Sequence, residues 1–372
     1  MAFGIYLHVP FCSVRCGYCD FNTYTADDLG GPDVLGASRA TYIDAALGEL
    51  SLVPERTVDT VFVGGGTPTQ LPSADLVRFL RALDHRLGLA PGAEVTTEAN
   101  PDSVTPASLA ELREGGFTRI SFGMQSAVPH VLAMLERTHD PERVPQAVQW
   151  AREAGFEQVS LDLIYGAPTE TMDDWRHTVE SALELRPDHI SAYALIVEDG
   201  TAFARKVRRG EVVMPDDDET ADKYLLADDL MSAAGLSWYE LSNWAVDEAA
   251  QCRHNIGYWN GGQWWGVGPG AHSFVDGERW WNVKHPGAYA QRIMRGESPR
   301  ADGERPDAAE RHLEDVMLRI RLAEGIESSL LGDADRLVSA GWLTPVGDRM
   351  VLTRTGRLMA DRVVLEAVEG LD

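Results

Sequence analysis

The chain has 372 residues, a length that favours two domains or one barrel-sized domain with a smaller one. Its 58 acidic and 33 basic residues give a net charge of -25, which argues against nonspecific binding to nucleic acid or to an anionic membrane surface. No apolar run approaches the roughly 18 residues of a membrane span, and the first ten residues carry neither Lys nor Arg, so we expect no integral membrane segment, no signal peptide and a cytoplasmic location.

Six short β-rich runs in the first 245 residues alternate with stretches of helical periodicity. The runs are GIYLHV (4–9), TVFVGGG (60–66), EVTTEAN (94–100), RISFGMQ (119–125), QVSLDLIYG (158–166) and HISAYALI (189–196). Apolar residues recur at helical spacing from Leu76 to Leu87, while Thr105 and Asp140, each followed by proline, are typical of helix starts. Strand and helix repeated six times predict right-handed crossovers and a parallel sheet.

Polar or glycine-rich residues stand at the ends of several of these runs, as at Cys12, Glu98 and Asp162. Chemistry at the carboxyl ends of parallel strands is typical of a closed or partial (β/α) barrel. An open doubly wound sheet is the alternative, because alternation alone does not distinguish the two architectures.

The last third of the chain departs from the alternation. Residues 246–296 are predicted to form an irregular extension rich in aromatics and glycine, and residues 295–308 are polar with Pro and Gly, which is typical of a linker. In a C-terminal domain over 305–372, Leu313, Val316 and Ile320 indicate one helix, a second is predicted over 329–340, and a hairpin is predicted to turn at Gly347-Asp348. Two helices and a hairpin resemble a winged helix. The DNA binding associated with that fold is analogy alone, and the acidic charge argues against it.

Three of the four cysteines lie within eight residues, in FCSVRCGYCDFN (11–22). Cys12, Cys16 and Cys19 follow the spacing C-x3-C-x2-C. A structural zinc site needs four ligands, so His8 or Cys252 would have to complete the shell. An iron–sulfur cube held by three thiolates keeps one iron open for a substrate or cofactor. The local count of three therefore favours a [4Fe-4S] cluster.

These motifs resemble the radical S-adenosylmethionine superfamily, in its branch of proteins like oxygen-independent coproporphyrinogen III oxidase. The resemblance is carried by YLHVPFCSVRCGYCDF, by GGGTPT (64–69) and by DLIYGAP (162–168). It implies a partial (β/α)6 TIM-like barrel over residues 1–245, with the cluster loop at 11–22, followed by the extension and the winged-helix-like α+β domain. The dehydrogenases of this branch carry a fourth cysteine where this chain has Phe21. The stretch CRHNIGYW (252–259) contains the H-N-x-x-Y-W motif of HemW-type heme chaperones, a second group of the branch.

Site residues follow from the resemblance, position by position. The open iron would chelate S-adenosylmethionine, whose reductive cleavage gives a 5'-deoxyadenosyl radical in the family, while the protein orients the cofactor. The residues that the resemblance assigns to S-adenosylmethionine are Tyr6, Gly65, Gly66, Thr67, Glu98, Gln125, Arg137 and Asp162. His254 in the H-N-x-x-Y-W motif is the expected heme ligand, because a neutral imidazole is a good axial ligand for heme iron.

Three functions remain open at this point. The leading hypothesis is a heme chaperone that passes heme to an acceptor protein and receives electrons from a reductant such as flavodoxin or ferredoxin. The second is coproporphyrinogen III dehydrogenation to protoporphyrinogen IX, against which the missing fourth cysteine counts. The third is a zinc-stabilised interaction or regulatory protein. Whether the chain cleaves S-adenosylmethionine as an enzyme, and whether it forms a homodimer, stays open.

Overall fold

The structure is a computed structural model, and it describes residues 2–29 and 38–368. The predicted end of the C-terminal domain, residues 369–372, lies outside the described residues. The strands are β1 (Phe3–Val9), β2 (Val58–Gly65), β3 (Leu89–Ala99), β4 (Arg119–Gln125), β5 (Gln158–Tyr165), β6 (His189–Ala194), β7 (Ser237–Glu240), β8 (Asn243–Ala245), β9 (Gln263–Val267), β10 (His272–Val275), β11 (Glu278–Asn282), β12 (Arg300–Glu304), β13 (Ile326–Glu327), β14 (Leu343–Val346) and β15 (Arg349–Leu352). The helices are α1 (Tyr42–Leu50), α2 (Ser73–Leu87), α3 (Pro106–Glu114), α4 (Pro129–Met134), α5 (Arg143–Glu153), α6 (Met172–Glu184), α7 (Ala202–Arg208), α8 (Asp217–Ala233), α9 (Arg253–Trp259), α10 (Pro286–Met294), α11 (Ala308–Arg319), α12 (Ala334–Ser339), α13 (Arg354–Leu358) and α14 (Ala360–Val368).

The larger of the two sheets that the structure describes has twelve strands, in the order β12-β11-β10-β9-β1-β2-β3-β4-β5-β6-β8-β7. Strands β1 to β6 are parallel and lie in sequence order, as the six β-rich runs predict. A doubly wound sheet needs a point at which the strand order reverses, and the parallel strands β1 to β6 have none. The edge strands β12 and β7 do not pair with each other, so the barrel is partial and open.

Helices cover the outside of the parallel strands because their apolar stripes face the sheet. On α2, Leu76, Leu80 and Leu83 are buried, which confirms the periodicity seen in the sequence. The predicted start of α3 is also confirmed, since the Thr105 hydroxyl accepts from the Ser108 N–H in a capping box. The prediction at Asp140 was wrong by two residues: Asp140 accepts from the Glu142 N–H in the preceding turn, and α5 begins only at Arg143.

Residues 246–296 are more regular than their composition indicated. Strand β9 pairs in parallel with β1, and β10 and β11 form a hairpin that turns at Asp276-Gly277, where both residues have positive φ. The predicted linker also contains a strand, β12, which pairs with β11. The reason is that an existing sheet edge supplies hydrogen-bond partners to segments whose own sequence pattern is weak.

The C-terminal part packs around its own small core, which includes Val316, Ile320 and Leu337. The two predicted helices are present as α11 and α12, and the hairpin β14–β15 turns at Gly347-Asp348 as predicted. Strand β13 adds a third strand to that hairpin, while α13 and α14 were not predicted. None of the helices in the described ranges is both long and apolar enough to cross a membrane.

Candidate functional site

A cavity of about 800 Å³ opens at the carboxyl ends of β1 to β6 and continues into the interior of the partial barrel. The cluster loop (residues 11–22) forms its mouth, together with residues that follow β2, β4 and β6. Predicted site residues that line this cavity are Cys12, Cys16, Cys19, Gly65, Gly66, Thr67, Glu98, Gln125, Arg137 and Asp162. The structure therefore brings together ten of the twelve predicted positions. Tyr6 and His254 are not among its lining residues.

The cluster loop presents its three thiols to the same cavity. Its two ends are held together, because Cys12 N–H donates to Tyr24 O and Tyr24 N–H donates to Pro10 O. Burial raises the pKa of the Cys12 thiol, and burial together with the nearby Cys12 and Cys16 raises the pKa of Cys19 to about 11. A bound cationic iron site would offset this cost of ionisation and hold the cysteines as thiolates. The donor set fits a [4Fe-4S] cluster.

Glycines after β2 let the chain pass directly beneath the cluster loop. Gly66 N–H donates to Val9 O and Thr67 N–H donates to Phe11 O, both at 2.7 Å. A Cβ on Gly66 would lie 2.6 Å from the Phe11 carbonyl oxygen, and Gly65 has a φ of +112°. Gly66 therefore requires glycine for contact with the loop, whereas Gly65 requires it for its backbone conformation. The Thr67 hydroxyl lies 3.9 Å from Cys12 Sγ.

The two residues that might have completed a zinc shell are engaged elsewhere. The His8 ring bonds the Tyr6 hydroxyl through Nδ1 and the Asn22 carbonyl through Nε2, each at 2.9 Å. Cys252 is buried beside the Glu94 carboxylate, 3.7 Å away, and burial raises its pKa to about 12. Neither offers a free donor atom for a tetrahedral zinc ion.

Two acidic side chains face each other inside the cavity. Burial and the neighbouring Asp162 raise the pKa of Glu98 to about 8. Glu98 accepts from the Gly65 N–H at 3.1 Å, and Asp162 accepts from the Ser121 hydroxyl. Burial also raises the pKa of Asp162. A cationic ligand would favour the ionised forms, so this pair suits the ammonium or sulfonium charge of S-adenosylmethionine.

Gln125, the last residue of β4, and Arg137, which follows α4, line the same cavity as these carboxyl groups. Gln125 has a φ of +63°, a strained conformation of the kind found at ligand-binding sites. Arg137 donates to Gly123 O at 3.0 Å, while its buried Nε has no partner. An unpaired guanidinium nitrogen in a cavity wall suits a ligand carboxylate. Tyr6, by contrast, stacks on Phe62 and bonds His8.

Helix α9 carries the H-N-x-x-Y-W motif and lies against the amino-terminal halves of β2 and β3. His254 is only 3% exposed, and its ring bonds the Thr60 hydroxyl at Nδ1 and the Tyr258 hydroxyl at Nε2, both at 2.8 Å. Burial lowers its pKa to about 3, which keeps the imidazole neutral. In this conformation neither ring nitrogen is free to bind iron.

A smaller cavity of about 360 Å³ adjoins the cluster cavity, since Tyr193, Ser242 and Asn255 line both. Asn255 lines both cavities, whereas Tyr258 and Trp259 line the smaller one together with Leu318 of α11. Within the motif, the Tyr258 hydroxyl occupies His254 Nε2, and Tyr258 itself lines the smaller cavity. Displacement of Tyr258 would free Nε2 on that side.

Sequence reasoning missed the lower end of the cluster cavity. Its floor is formed by Thr96, Arg119, Ser160, His189, Cys252 and Asn255. Along β4, every second residue lines the cavity: Arg119, Ser121, Gly123 and Gln125. The signal for this cavity face is the alternation of R, S, G and Q in RISFGMQ, which by itself predicts only a strand.

Comparison with known proteins identifies the family. The sequence model described as "Radical SAM superfamily" matches residues 6–182. Two proteins of Mycobacterium tuberculosis strains named "Heme chaperone HemW" are each 50% identical to this chain over 371 residues, covering 97% of the chain and 94% of each relative. This chain belongs to the HemW family of the radical SAM superfamily.

More distant relatives span most of the same length. A protein of the same name from Bacillus subtilis is 33% identical over 86% of this chain and 84% of its own length, and one from Escherichia coli is 32% identical over 97% of each. Among solved structures, the radical SAM enzyme coproporphyrinogen III oxidase (HemN) from Escherichia coli superposes with a TM-score of 0.82, covering 98% of this chain and 89% of that chain at 23% identity. That likeness confirms the α/β fold with its open, central parallel sheet.

Proposed function

We propose that this protein is a heme chaperone, which binds heme and transfers it to an acceptor protein. The observation that carries the proposal is the 50% identity, over nearly the whole chain, to relatives named heme chaperones. The cluster loop agrees, because Phe21 occupies the place of the fourth cysteine of the dehydrogenases and is 57% exposed at the cavity mouth. The second candidate, coproporphyrinogen dehydrogenation, has only a shared fold to support it.

The proposed scaffold binds a [4Fe-4S] cluster and S-adenosylmethionine at the cavity mouth. Cys12, Cys16 and Cys19 would hold the cluster, which supplies a reducible iron with one open coordination position. Glu98 and Asp162 would attract the positive charges of S-adenosylmethionine, and Arg137 would pair with its carboxylate. Gly65, Gly66 and Thr67 fix the distance between the end of β2 and the loop. Gln125 and Tyr6 belong to the same proposed set; Gln125 lines the cavity and Tyr6 does not.

His254 is the proposed axial ligand of heme, and its binding requires α9 to rearrange. The Tyr258 hydroxyl must leave Nε2, while the Thr60 hydroxyl can stay on Nδ1 and fix the ring orientation, as partners of metal-bound histidines commonly do. The neutral state of the buried ring favours iron over a proton. Tyr258 and Trp259 would then offer aromatic faces to the porphyrin.

The proposed partners follow from this chemistry. A heme chaperone needs an acceptor protein, and the cluster needs a reductant such as flavodoxin or ferredoxin. We place the protein in the cytoplasm, where the four free thiols would stay reduced.

Anaerobic reconstitution followed by two assays on one sample tests the proposal. Heme titration is expected to show one heme per chain, and incubation with S-adenosylmethionine, reductant and coproporphyrinogen III is expected to give no turnover. His254→Ala should abolish the histidine-ligated heme spectrum. Tyr258→Phe keeps the aromatic ring but frees Nε2 from one hydrogen bond, so it should strengthen heme binding up to about tenfold.

The matched variant is Thr60→Val, which removes the hydrogen bond on the other ring nitrogen and should weaken heme binding. If Tyr258→Phe and Thr60→Val change affinity in the same direction, Tyr258 is not the group that His254 must release. Porphyrin product at a turnover rate would make the dehydrogenase the better description.

A further inference from the structure

The floor of the cluster cavity contains a buried arginine that forms no ion pair with a carboxylate in the described part of the chain. Arg119, the first residue of β4, is 2% exposed and lines the cavity. Its Nη1 donates to the Ala250 carbonyl at 2.7 Å, whereas its buried Nη2 has no hydrogen-bond partner. Within residues 2–29 and 38–368, no carboxylate forms an ion pair with it.

Two other buried basic side chains, Lys223 and Arg357, are paired with carboxylates. Lys223 is fully buried and lies 3.3 Å from Glu170 and 2.9 Å from Glu219. Arg357, also nearly buried, donates from both terminal nitrogens to the two oxygens of Asp228. A guanidinium stays charged at any ordinary pH, and burial of an uncompensated charge is strongly unfavourable. Among the described residues Arg119 has no such ion pair. Burial raises the pKa of Asp162 and the charge of Arg119 opposes that rise, so Asp162 offsets this charge only in part and from beyond ion-pair distance.

A second unpaired donor lies beside Arg119. Thr96 of β3 is its direct register partner, so both side chains point to the same face of the sheet. The Thr96 hydroxyl is fully buried, lines the cavity and has no partner. The amide oxygen of Gln158, the register partner on β5, is also unpaired, but a neutral oxygen does not supply the missing charge.

Two other polar residues of the floor, His189 and Ser160, already have partners. His189 bonds Ser160 through Nδ1 at 2.7 Å and Tyr239 through Nε2 at 2.8 Å. The two free donors, Arg119 Nη2 and the Thr96 hydroxyl, therefore define one place for an acceptor. A carboxylate matches these two donors. It would supply a negative charge to pair with the Arg119 guanidinium, and it accepts hydrogen bonds from several donors at once.

We propose that Arg119 and Thr96 form a carboxylate-binding subsite at the cavity floor, and that it receives a propionate of heme. The inference rests on the proposed function. The Ala250 carbonyl that orients Arg119 lies four residues before His254, and Asn255 of α9 lines the same floor. His254 stacks on Phe62, another lining residue, with ring centroids 5.3 Å apart. A propionate at Arg119 thus directs the porphyrin toward the helix that carries its proposed ligand.

The test compares heme with its dimethyl ester, in which both propionates are neutral. Dissociation constants of the two compounds are measured by absorbance titration of the anaerobic, reconstituted protein. Wild type should bind heme about ten- to a hundredfold more tightly than the ester, the effect expected for a charge-assisted hydrogen bond. Arg119→Gln should lower heme affinity by that factor and leave ester affinity unchanged. Arg113→Gln, an arginine that also donates to a backbone carbonyl but lies outside the cavity, should keep the wild-type ratio.

The outcomes separate the subsite from the proposed function. If wild type binds both compounds equally, or if Arg119→Gln weakens both equally, the subsite is wrong and the chaperone proposal stands. If wild type binds neither compound, both proposals are wrong. Should Arg119→Gln fail to fold, Thr96→Val decides the question. This variant has nearly the same shape but lacks the hydroxyl donor, so the ratio of heme affinity to ester affinity must fall. An unchanged ratio in Thr96→Val overturns the subsite.

Discussion

At the scale of single residues, the site is defined by polar groups whose ionisation is altered by burial. Burial and the neighbouring Asp162 raise the pKa of Glu98 to about 8, and burial raises the pKa of the Cys19 thiol to about 11. Such groups are stable in the free protein mainly as neutral acids. A cluster and a cationic cofactor would reverse that preference, so ligand binding and proton release should be coupled at this cavity.

The raised pKa of Glu98 also predicts how the stability of the cluster-free protein depends on pH. Its folded pKa lies above the ordinary carboxyl value, so the native state holds a proton that the unfolded chain has lost. The free energy of unfolding should therefore fall between about pH 5 and pH 8, by at most about 1.4 kcal/mol per pH unit for this one group. Glu98→Gln should reduce that slope, as measured by urea unfolding across this range.

An exposed carboxylate provides the control for this measurement. Glu114, at the end of α3, is open to solvent, so Glu114→Gln should keep the wild-type slope. If Glu98→Gln leaves the slope as steep as Glu114→Gln does, the buried carboxyl is ionised in the native state.

At the scale of elements, the contact between the end of β2 and the cluster loop positions the thiols. Two backbone hydrogen bonds of 2.7 Å join residues 66 and 67 to residues 9 and 11. This contact leaves no space for a side chain at Gly66. The glycines that the family resemblance assigned to cofactor binding thus also have a structural task, which is visible only when both segments are seen together.

Gly66→Ala should displace the cluster loop. The added Cβ would meet the backbone carbonyl oxygens of Phe11 and Val9 at 2.6 and 3.0 Å, and backbone atoms cannot move aside as a flexible side chain can. Iron and sulfide bound after anaerobic reconstitution should fall well below the wild-type amount. Gly257→Ala is the control, because a Cβ there meets nothing within 4 Å. Full cluster loading of Gly66→Ala would contradict this role of the contact.

At the scale of the whole molecule, the C-terminal part forms one wall of the cluster cavity. Arg357 and Leu358 of α13 line it, and the Arg357 guanidinium lies 4.6 Å above the Trp238 ring while pairing with Asp228 of α8. The cavity is therefore complete only when this part is attached to the barrel. Whether the attached part behaves as a separate domain over 305–372 stays a prediction.

Arg357→Met should loosen this attachment. It removes both hydrogen bonds to a buried carboxylate and leaves Asp228 without its main partner, which typically costs about 3–5 kcal/mol. Chemical unfolding and limited proteolysis between β12 and α11 measure the effect. Arg354 contacts the same Asp228 at 3.2 Å but is 43% exposed, so Arg354→Met should cost only about 0–1 kcal/mol. Equal losses in the two variants would contradict the assignment.

The sequence alone was sufficient for most features that depend on local spacing, although the start of α5 and the helices α13 and α14 were not among them. The three clustered cysteines, the six strands and the apolar face of α2 follow from patterns within a few residues of one another, and the structure keeps them. Local patterns are reliable here because each is a consequence of helix or strand geometry. The identity of the family also depended on short motifs, and Phe21 was recognisable from its position after Cys19.

Only the tertiary structure decided which residues meet. The opening of the barrel depends on which strands remain unpaired at β12 and β7, and the regularity of residues 246–296 depends on the free edge of β1. The engagement of both His254 ring nitrogens and the isolation of Arg119 depend on partners up to 194 residues away in the sequence. Such contacts are set by packing over long sequence separations, and no local period in the chain encodes them.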